Sequence, residues 1–203
     1  MPMIHKWLDV ADSAIDSYKA QQLRGELAVF LAFMDSIKPE SVLEIGSADG
    51  GLAWAILQIE SVKRLMTVDV RKSARYKWLR PEWQHRVCSI IGDSMDSATV
   101  DAAGDAADGA YDVVIIDGGH NWENASADWN NYARMAKPGG IVMVHDTQGF
   151  YNVHGFDVPQ LWSCIRAKLE TVELVSMRGM QAGTGIVWAG EGDWWDVIGM
   201  GQE

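Results

Sequence analysis

The chain contains no long hydrophobic run. Apolar stretches such as residues 113–116 and 141–144 fall far short of the roughly 20 residues that a membrane-spanning helix needs. Residues 1–10 include charged and polar side chains and form no signal-peptide core followed by a small-residue cleavage site. We therefore expect a cytoplasmic protein that does not bind membranes.

Cysteine is scarce, with two in 203 residues. Cys88 and Cys164 do not have the spacing of a metal-binding motif, and in a reducing cytosol such thiols are more often buried than paired. Both are expected in the hydrophobic core.

Basic residues are also in short supply. The chain has 17 lysines and arginines against 28 aspartates and glutamates, which gives a net charge of −11. A protein that binds a nucleic-acid backbone needs a basic surface to neutralise the phosphates. The composition therefore disfavours nucleic acid as a substrate or partner.

Two common nucleotide-binding signatures are missing as well. Residues 44–51 read Glu-Ile-Gly-Ser-Ala-Asp-Gly-Gly, an acidic-x-Gly-x-x-x-Gly spacing. This is neither the Gly-x-Gly-x-x-Gly of dinucleotide-binding enzymes nor the Gly-Lys-Ser/Thr of P-loops, which disfavours NAD and ATP. The glycines still permit a tight turn and close approach of a ligand, although a plain strand-to-helix connection would use them equally.

What the chain does have is an alternation of apolar strands and helical segments. Leu23, Leu27, Phe30, Leu31 and Met34 follow the spacing of an amphipathic helix. Strands are predicted at residues 41–45, 65–70, 86–91, 111–117, 140–145, 171–177 and 185–189. Fully apolar strands indicate burial on both faces of a parallel sheet, and the glycines before the last strand indicate a hairpin.

The predicted fold is therefore α/β and Rossmann-like. It has a seven-stranded, mostly parallel sheet with helices on both faces and an antiparallel last strand. Residues 1–203 are expected to form a single domain, with N-terminal helices over 1–38, the core over 39–190 and a tail over 191–203. In such a sheet, ligands bind beyond the carboxyl ends of the strands.

Polar residues follow the predicted strands at those ends. The expected binding residues for a nucleotide-like ligand are Glu44, Gly46, Ser47, Gly50, Asp69, Asp93 and Ser94. The carboxylate of Asp69 can accept both hydroxyls of a ribose. Asp93 and Ser94 can hydrogen-bond an adenine edge or, alternatively, cap a helix.

At these positions the chain resembles the class I S-adenosylmethionine-dependent methyltransferases. The shared residues are Val42-Leu43-Glu44-Ile45-Gly46, Asp69, Gly92-Asp93-Ser94 and Lys137-Pro138-Gly139-Gly140. The resemblance implies S-adenosylmethionine as the cofactor, with Glu44, Gly46 and Gly50 at its methionine end. Many relatives carry serine or threonine where this chain has Leu52, so the contact to the cofactor carboxylate must come from elsewhere.

The chain is more similar to a small-molecule branch of that class. Ile116-Asp117-Gly118-Gly119-His120 and Val144-His145-Asp146-Thr147 resemble cephalosporin-hydroxylase-like proteins and macrocin-type sugar O-methyltransferases. This resemblance implies a divalent metal, magnesium or manganese, bound by Asp117, His145 and Asp146, with Asp117 also in the cofactor pocket. An imidazole at position 145 shifts the preference from magnesium toward manganese, iron or zinc. His120 stands at the position of the general base.

A structural interpretation of the same residues stays open, in which His145 is a core histidine and Asp146 caps a turn. The favoured function is metal-assisted O-methylation of a small hydroxylated molecule, such as a sugar or a secondary metabolite. The alternatives are metal-independent methylation by His120 and a non-catalytic S-adenosylmethionine-binding module. Trp194 and Trp195 are expected to be exposed and to form an interface in a possible homo-oligomer.

Overall fold

The computed structural model describes residues 2–71, 79–106, 110–149, 155–175 and 182–198. Its strands are β1 (Ser41–Ile45), β2 (Arg64–Asp69), β3 (Val87–Ile91), β4 (Tyr111–Ile116), β5 (Ala136–Gln148), β6 (Thr171–Leu174) and β7 (Ala182–Trp188). They form one sheet in the order β3-β2-β1-β4-β5-β7-β6. Strands β1 to β5 pair in parallel, and β7 runs antiparallel to both β5 and β6. The predicted Rossmann-like sheet is confirmed.

Helices cover both faces of this sheet. They are α1 (Pro2–Tyr18), α2 (Arg24–Ile37), α3 (Gly51–Ile56), α4 (Ser97–Asp105), α5 (Trp122–Tyr132) and α6 (Val158–Lys168). Helices α1 to α3 pack with Val113 and Ile115 on one face, whereas α4 to α6 pack with Val114 and Ile116 on the other. Alternate residues of β4 thus enter two separate cores, as the apolar strand pattern predicts.

Helix α2 buries the stripe that its sequence predicts. Leu27, Phe30, Leu31 and Met34 are all buried, and the helix ends where Lys38 adopts a left-handed conformation with φ of 52°. This helix and α1 are joined by a short linker, residues 19–23, which crosses the carboxyl end of the sheet and reaches the site described below.

Strand β5 is longer than predicted and contains a bulge near its carboxyl end. Three steps along β5, from His145 to Gln148, match two along β7, from Thr184 to Ala182. Asp146 lies within this bulge in the left-handed region, with φ of 62°. Successive side chains of a regular strand point to opposite faces, and the extra residue of a bulge changes that alternation. Here it brings the side chains of His145 and Asp146 together, with Nδ1 and Oδ1 3.4 Å apart.

Two expectations about burial are wrong. Cys88 is exposed because β3 is an edge strand of the sheet. Cys164, on α6, is only partly buried. Trp194 and Trp195 are partly buried instead of exposed, because they pack against the core beneath α5. The indole Nε1 of Trp129 donates to the carbonyl oxygen of Trp195 at 2.7 Å. In the described part of the chain, no helix has the length and apolar character needed to cross a membrane.

Candidate active site

A cleft of about 610 Å³ opens at the carboxyl ends of the parallel strands. The loops after β1, β2, β3 and β4 line it, together with His145 and Asp146 of β5 and the linker between α1 and α2. The predicted binding residues in this lining are Glu44, Gly46, Ser47, Asp69, Asp93, Ser94 and Asp117. Of that predicted set, only Gly50 is missing from the lining that the described residues form. Gly50 instead caps α3 with φ of 81° and donates its N–H to the Ser47 carbonyl at 2.7 Å.

The loop after β1 lies directly against the end of β4. Gly46 has φ of 85°, and a Cβ atom there would lie 1.9 Å from the carbonyl oxygen of Asp117. No other residue fits this position without moving one of the two backbones. Glycine at position 46 therefore allows the loop after β1 to contact the end of β4, between the predicted cofactor and metal sites.

Asp69 ends β2 and is 8% exposed. Its Oδ2 accepts the N–H of Ala48 at 2.7 Å, and its Oδ1 accepts the N–H of Arg71 at 2.8 Å. A carboxylate can accept about four hydrogen bonds, so these two contacts are compatible with ribose binding. The same side chain thus fixes the loop after β1 and lines the cleft.

Asp93 and Ser94 lie at the far end of the cleft, after β3. The Oδ1 atom of Asp93 accepts the N–H of Met95 at 2.9 Å, and the Ser94 carbonyl accepts the hydroxyl of Tyr132 at 2.9 Å. The residue that caps α4 is Asp96. The alternative in which Asp93 or Ser94 caps that helix is therefore wrong.

A cluster of two carboxylates and two imidazoles occupies the opposite end of the cleft. His120 Nε2 lies 2.8 Å from Asp146 Oδ2, and His145 Nδ1 lies 3.1 Å from Asp117 Oδ1. His145 and Asp146 are almost fully buried, whereas the His120 side chain is 40% exposed. The exposed imidazole is the one that an incoming ligand can reach.

The carboxylates shift both imidazoles toward the charged form. The hydrogen bond that His120 donates to Asp146 raises the pKa of His120, although partial burial opposes the shift. Burial also opposes the charged form of His145, but the carboxylates of Asp117 and Asp146 outweigh it and raise the pKa well above its usual value. The carboxylates and the charged forms of the two histidines therefore stabilise one another within the cluster.

The geometry groups possible metal ligands differently from the sequence. Asp117, His120 and Asp146 each offer one ligand atom within 4.8 Å of the others, a grouping that includes His120 and not His145. His145 instead directs Nδ1 toward Asp117 and Asp146. His145, which the sequence assigned to the metal, lies outside this group of three, whereas His120, which the sequence assigned as the general base, lies within it.

His120 is held by the segment before α6. Its carbonyl oxygen accepts the N–H of Asp157 at 2.7 Å, and its ring stacks on Phe156 with centroids 5.1 Å apart. Asp157 Oδ2 also accepts the N–H of Trp122 at 2.9 Å. These contacts orient the loop that carries His120.

Sequence reasoning missed Gln22, which lies in the linker between α1 and α2. It is 6% exposed, lines the cleft and donates from Nε2 to Asp117 Oδ2 at 2.6 Å. A single glutamine between two helices carries no local pattern that signals a binding role. Only the chain crossing that brings residues 22 and 117 together reveals it.

Solved structures share this fold. MycE, a methyltransferase from the mycinamycin biosynthetic pathway solved with Mg, SAH and mycinamycin VI, has a TM-score of 0.67 at 18% identity, covering 97% of this chain and 57% of that chain. An O-methyltransferase from Bacillus cereus in complex with SAH has a TM-score of 0.68 at 16% identity, covering 93% and 91%. TomG from Streptomyces achromogenes, an O-methyltransferase involved in tomaymycin synthesis and solved with SAM, has a TM-score of 0.66 at 14% identity, covering 91% and 90%.

Sequence comparison identifies the family to which the chain belongs. The uncharacterized protein y4gI of Sinorhizobium fredii (strain NBRC 101917 / NGR234) is 24% identical over 163 residues, which cover 75% of this chain and 18% of that protein. A family model described as a methyltransferase domain matches residues 43–147, from β1 to the bulge of β5. This match spans more than half of the 203 residues and includes every residue of the cleft lining except those of the linker at 19–22, so the protein belongs to this methyltransferase family.

Proposed function

We propose that the protein transfers a methyl group from S-adenosylmethionine to a hydroxyl group of a small molecule, with a divalent metal ion at Asp117, His120 and Asp146. One observation carries this proposal. A single cleft places Asp69 and Asp93, suited to an adenosine, at one end and the carboxylate–imidazole cluster at the other. Methyl transfer needs the donor and the acceptor in line, and this arrangement supplies adjoining places for both.

The donor site is supported by the chemistry of the cleft wall. Asp69 can accept ribose hydroxyls, and Asp93 with Ser94 can meet the polar edge of an adenine. The Bacillus cereus enzyme and TomG, which share the fold, were solved with SAH and SAM respectively. We assign the same ligand to this chain as part of the proposal.

The donor set at the other end fits a divalent ion. Two carboxylates and one imidazole suit manganese, iron or zinc, and magnesium less well. A bound ion would lower the pKa of an acceptor hydroxyl and fix its oxygen. His145 holds the carboxylates of Asp117 and Asp146 in place, and Gln22 adds a second donor to Asp117.

A metal-independent mechanism is the second candidate, and the contact of 2.8 Å between His120 and Asp146 favours it. An imidazole oriented by a carboxylate is a suitable general base for a hydroxyl proton. In this mechanism His120 accepts the proton and Asp146 stabilises the resulting imidazolium. The two mechanisms use the same residues and differ in whether an ion lies between them.

The acceptor is proposed to be a sugar or a secondary metabolite. The net charge of −11 disfavours a nucleic acid, and MycE was solved with mycinamycin VI. The chain spans 57% of MycE and 18% of y4gI, so an acceptor is not carried over from either relative. A homo-oligomer and a cytoplasmic location stay predictions.

The test measures SAH release from S-adenosylmethionine with a panel of hydroxylated acceptors, with added Mn²⁺ or with excess chelator. Metal assistance predicts that chelation abolishes turnover while SAH still binds. Calorimetric titration of Mn²⁺ then separates the roles: His120→Ala and Asp146→Asn should lose the ion, whereas exposed His85→Ala should keep it. Full turnover in chelator, with a loss of about 100-fold or more in His120→Ala, would establish the metal-independent mechanism instead. SAH binding without turnover on any acceptor would point to a non-catalytic module.

A further inference from the structure

Gln22 presents an unsatisfied acceptor at the cleft. Its Nε2 donates to Asp117 Oδ2, and because a carboxylate only accepts hydrogen bonds, the other amide atom must be the oxygen. That atom, Oε1, is buried and has no hydrogen-bond partner among the residues that the structure describes. Buried polar atoms are nearly always paired, so an orphaned acceptor in a cleft wall indicates a missing donor.

Ser47 presents a second unsatisfied group nearby. It follows Gly46 in the loop after β1, is 3% exposed and lines the same cleft. Its Oγ atom also has no partner within the described ranges. Gly46 lies against the backbone of Asp117 and Gln22 bonds to its side chain, so both orphaned groups belong to the surroundings of one aspartate.

The two unsatisfied groups, Gln22 Oε1 and Ser47 Oγ, differ in the hydrogen bonds that they can make. An amide oxygen can only accept a hydrogen bond, whereas a hydroxyl can also donate one. An α-amino acid has the complementary pair, an ammonium with three donors and a carboxylate that accepts. Leu52 lines the same part of the cleft and has no polar atom to offer.

We propose that Gln22 and Ser47 bind the α-amino-acid group of the methyl donor. Gln22 Oε1 accepts a hydrogen bond from the ammonium, and Ser47 Oγ donates one to the carboxylate. This inference rests on S-adenosylmethionine as the proposed donor and adds the two residues that select its amino-acid end.

Other parts of the reactants fit these groups less well. The adenosine is assigned to Asp69 and Asp93, at the ends of β2 and β3, whereas Gln22 bonds to Asp117 after β4 and Ser47 follows Gly46, which lies against the Asp117 backbone. An acceptor hydroxyl has one proton, which the reaction removes. Glu44 also lines the cleft, one residue before the end of β1, and its carboxyl oxygens can accept hydrogen bonds from an ammonium.

The experiment is a calorimetric comparison of three ligands. They are SAH, its deaminated analogue, which keeps the carboxylate, and its decarboxylated analogue, which keeps the amine. The variants are Gln22→Met and Ser47→Ala, and Gln160→Met, at an exposed residue of α6, is the matched control. A hydrogen bond to a charged group is worth about 10- to 100-fold in affinity.

Gln22→Met should weaken SAH and the decarboxylated analogue by about tenfold or more and leave the deaminated analogue unchanged. Ser47→Ala should weaken SAH and the deaminated analogue and leave the decarboxylated one unchanged. An equal loss for all three ligands means a structural role only and overturns the inference, as does no loss at all. If the unaltered protein binds none of the three, the donor assignment fails and this inference fails with it.

Discussion

Asp69 has a structural role and a proposed binding role, and a substitution can separate the two. Its carboxylate holds the backbone of Ala48 and Arg71 and also lines the cleft where a ribose is proposed to bind. Asparagine keeps the shape and one acceptor but replaces the second oxygen with a donor that faces an N–H group. The residue therefore connects the geometry of the loop after β1 to ligand affinity.

We predict that Asp69→Asn lowers affinity for SAH by about tenfold or more, since hydrogen bonds to a charged group are worth about 1.5 to 3 kcal/mol. Asp69→Ala should also lower the free energy of unfolding by about 1 to 3 kcal/mol, because the buried amide groups lose their acceptor. Calorimetry and urea unfolding measure the two effects, with exposed Asp101→Asn as the control. Unchanged SAH affinity in Asp69→Asn would mean that other groups hold the ribose.

At the scale of an element, the bulge in β5 positions the carboxylate of Asp146 in the cluster. The bulge and the left-handed Asp146 bring its carboxylate between two imidazoles, 2.8 Å from His120 Nε2 and 3.4 Å from His145 Nδ1. Asparagine and aspartate tolerate the left-handed region better than other side chains, and branched residues tolerate it poorly. The conformation of one residue thus sets the arrangement of the whole cluster.

We predict that Asp146→Val lowers the free energy of unfolding by about 1 to 3 kcal/mol more than Asp146→Asn does, because of backbone strain. Both variants lose the carboxylate, so a difference between them in urea unfolding reports the bulge rather than the charge. The variant Val144→Ile, at a buried residue of the same strand, serves as a control for a change in side-chain volume. Equal stability of the Asn and Val variants would mean that the bulge relaxes without cost.

The strands, the antiparallel last strand and most cleft residues could be predicted because they depend on local patterns. Apolar runs such as residues 113–116 identify buried parallel strands, and polar residues at strand ends identify the cleft. The grouping of His120 with Asp117 and Asp146 could not be predicted, since a bulge leaves no signature in the sequence. The contact of Gln22 and the exposure of Cys88 could not be predicted for a similar reason: their surroundings depend on which distant segment packs beside them.

At the scale of the whole molecule, the acidic composition includes one carboxylate with no exposure to solvent. Asp128 on α5 is 0% exposed and lies behind the loop after β4, where a Cβ on Gly118 would meet its Oδ2 at 2.4 Å. Burial raises the pKa of this carboxyl from 3.8 to about 6; the charge of Asp93 adds to the shift, while Ser94 and Gly119 oppose it. The folded state therefore binds more protons than the unfolded state between about pH 4 and pH 6. Stability is lost as the pH rises through that range.

We predict that Asp128→Asn raises the free energy of unfolding at pH 8, where the unaltered protein holds a buried charge. A shift of about two pKa units corresponds to a gain of at most about 3 kcal/mol. The gain should shrink as the pH falls toward 5, because the aspartate then takes up a proton and becomes neutral like the asparagine. Urea unfolding at both pH values tests this, with exposed Asp105→Asn as the charge-matched control. A loss at pH 8 would mean that Asp128 stays ionised with satisfied partners, and a gain of the same size at both pH values would mean that the gain does not come from the titration of this carboxyl.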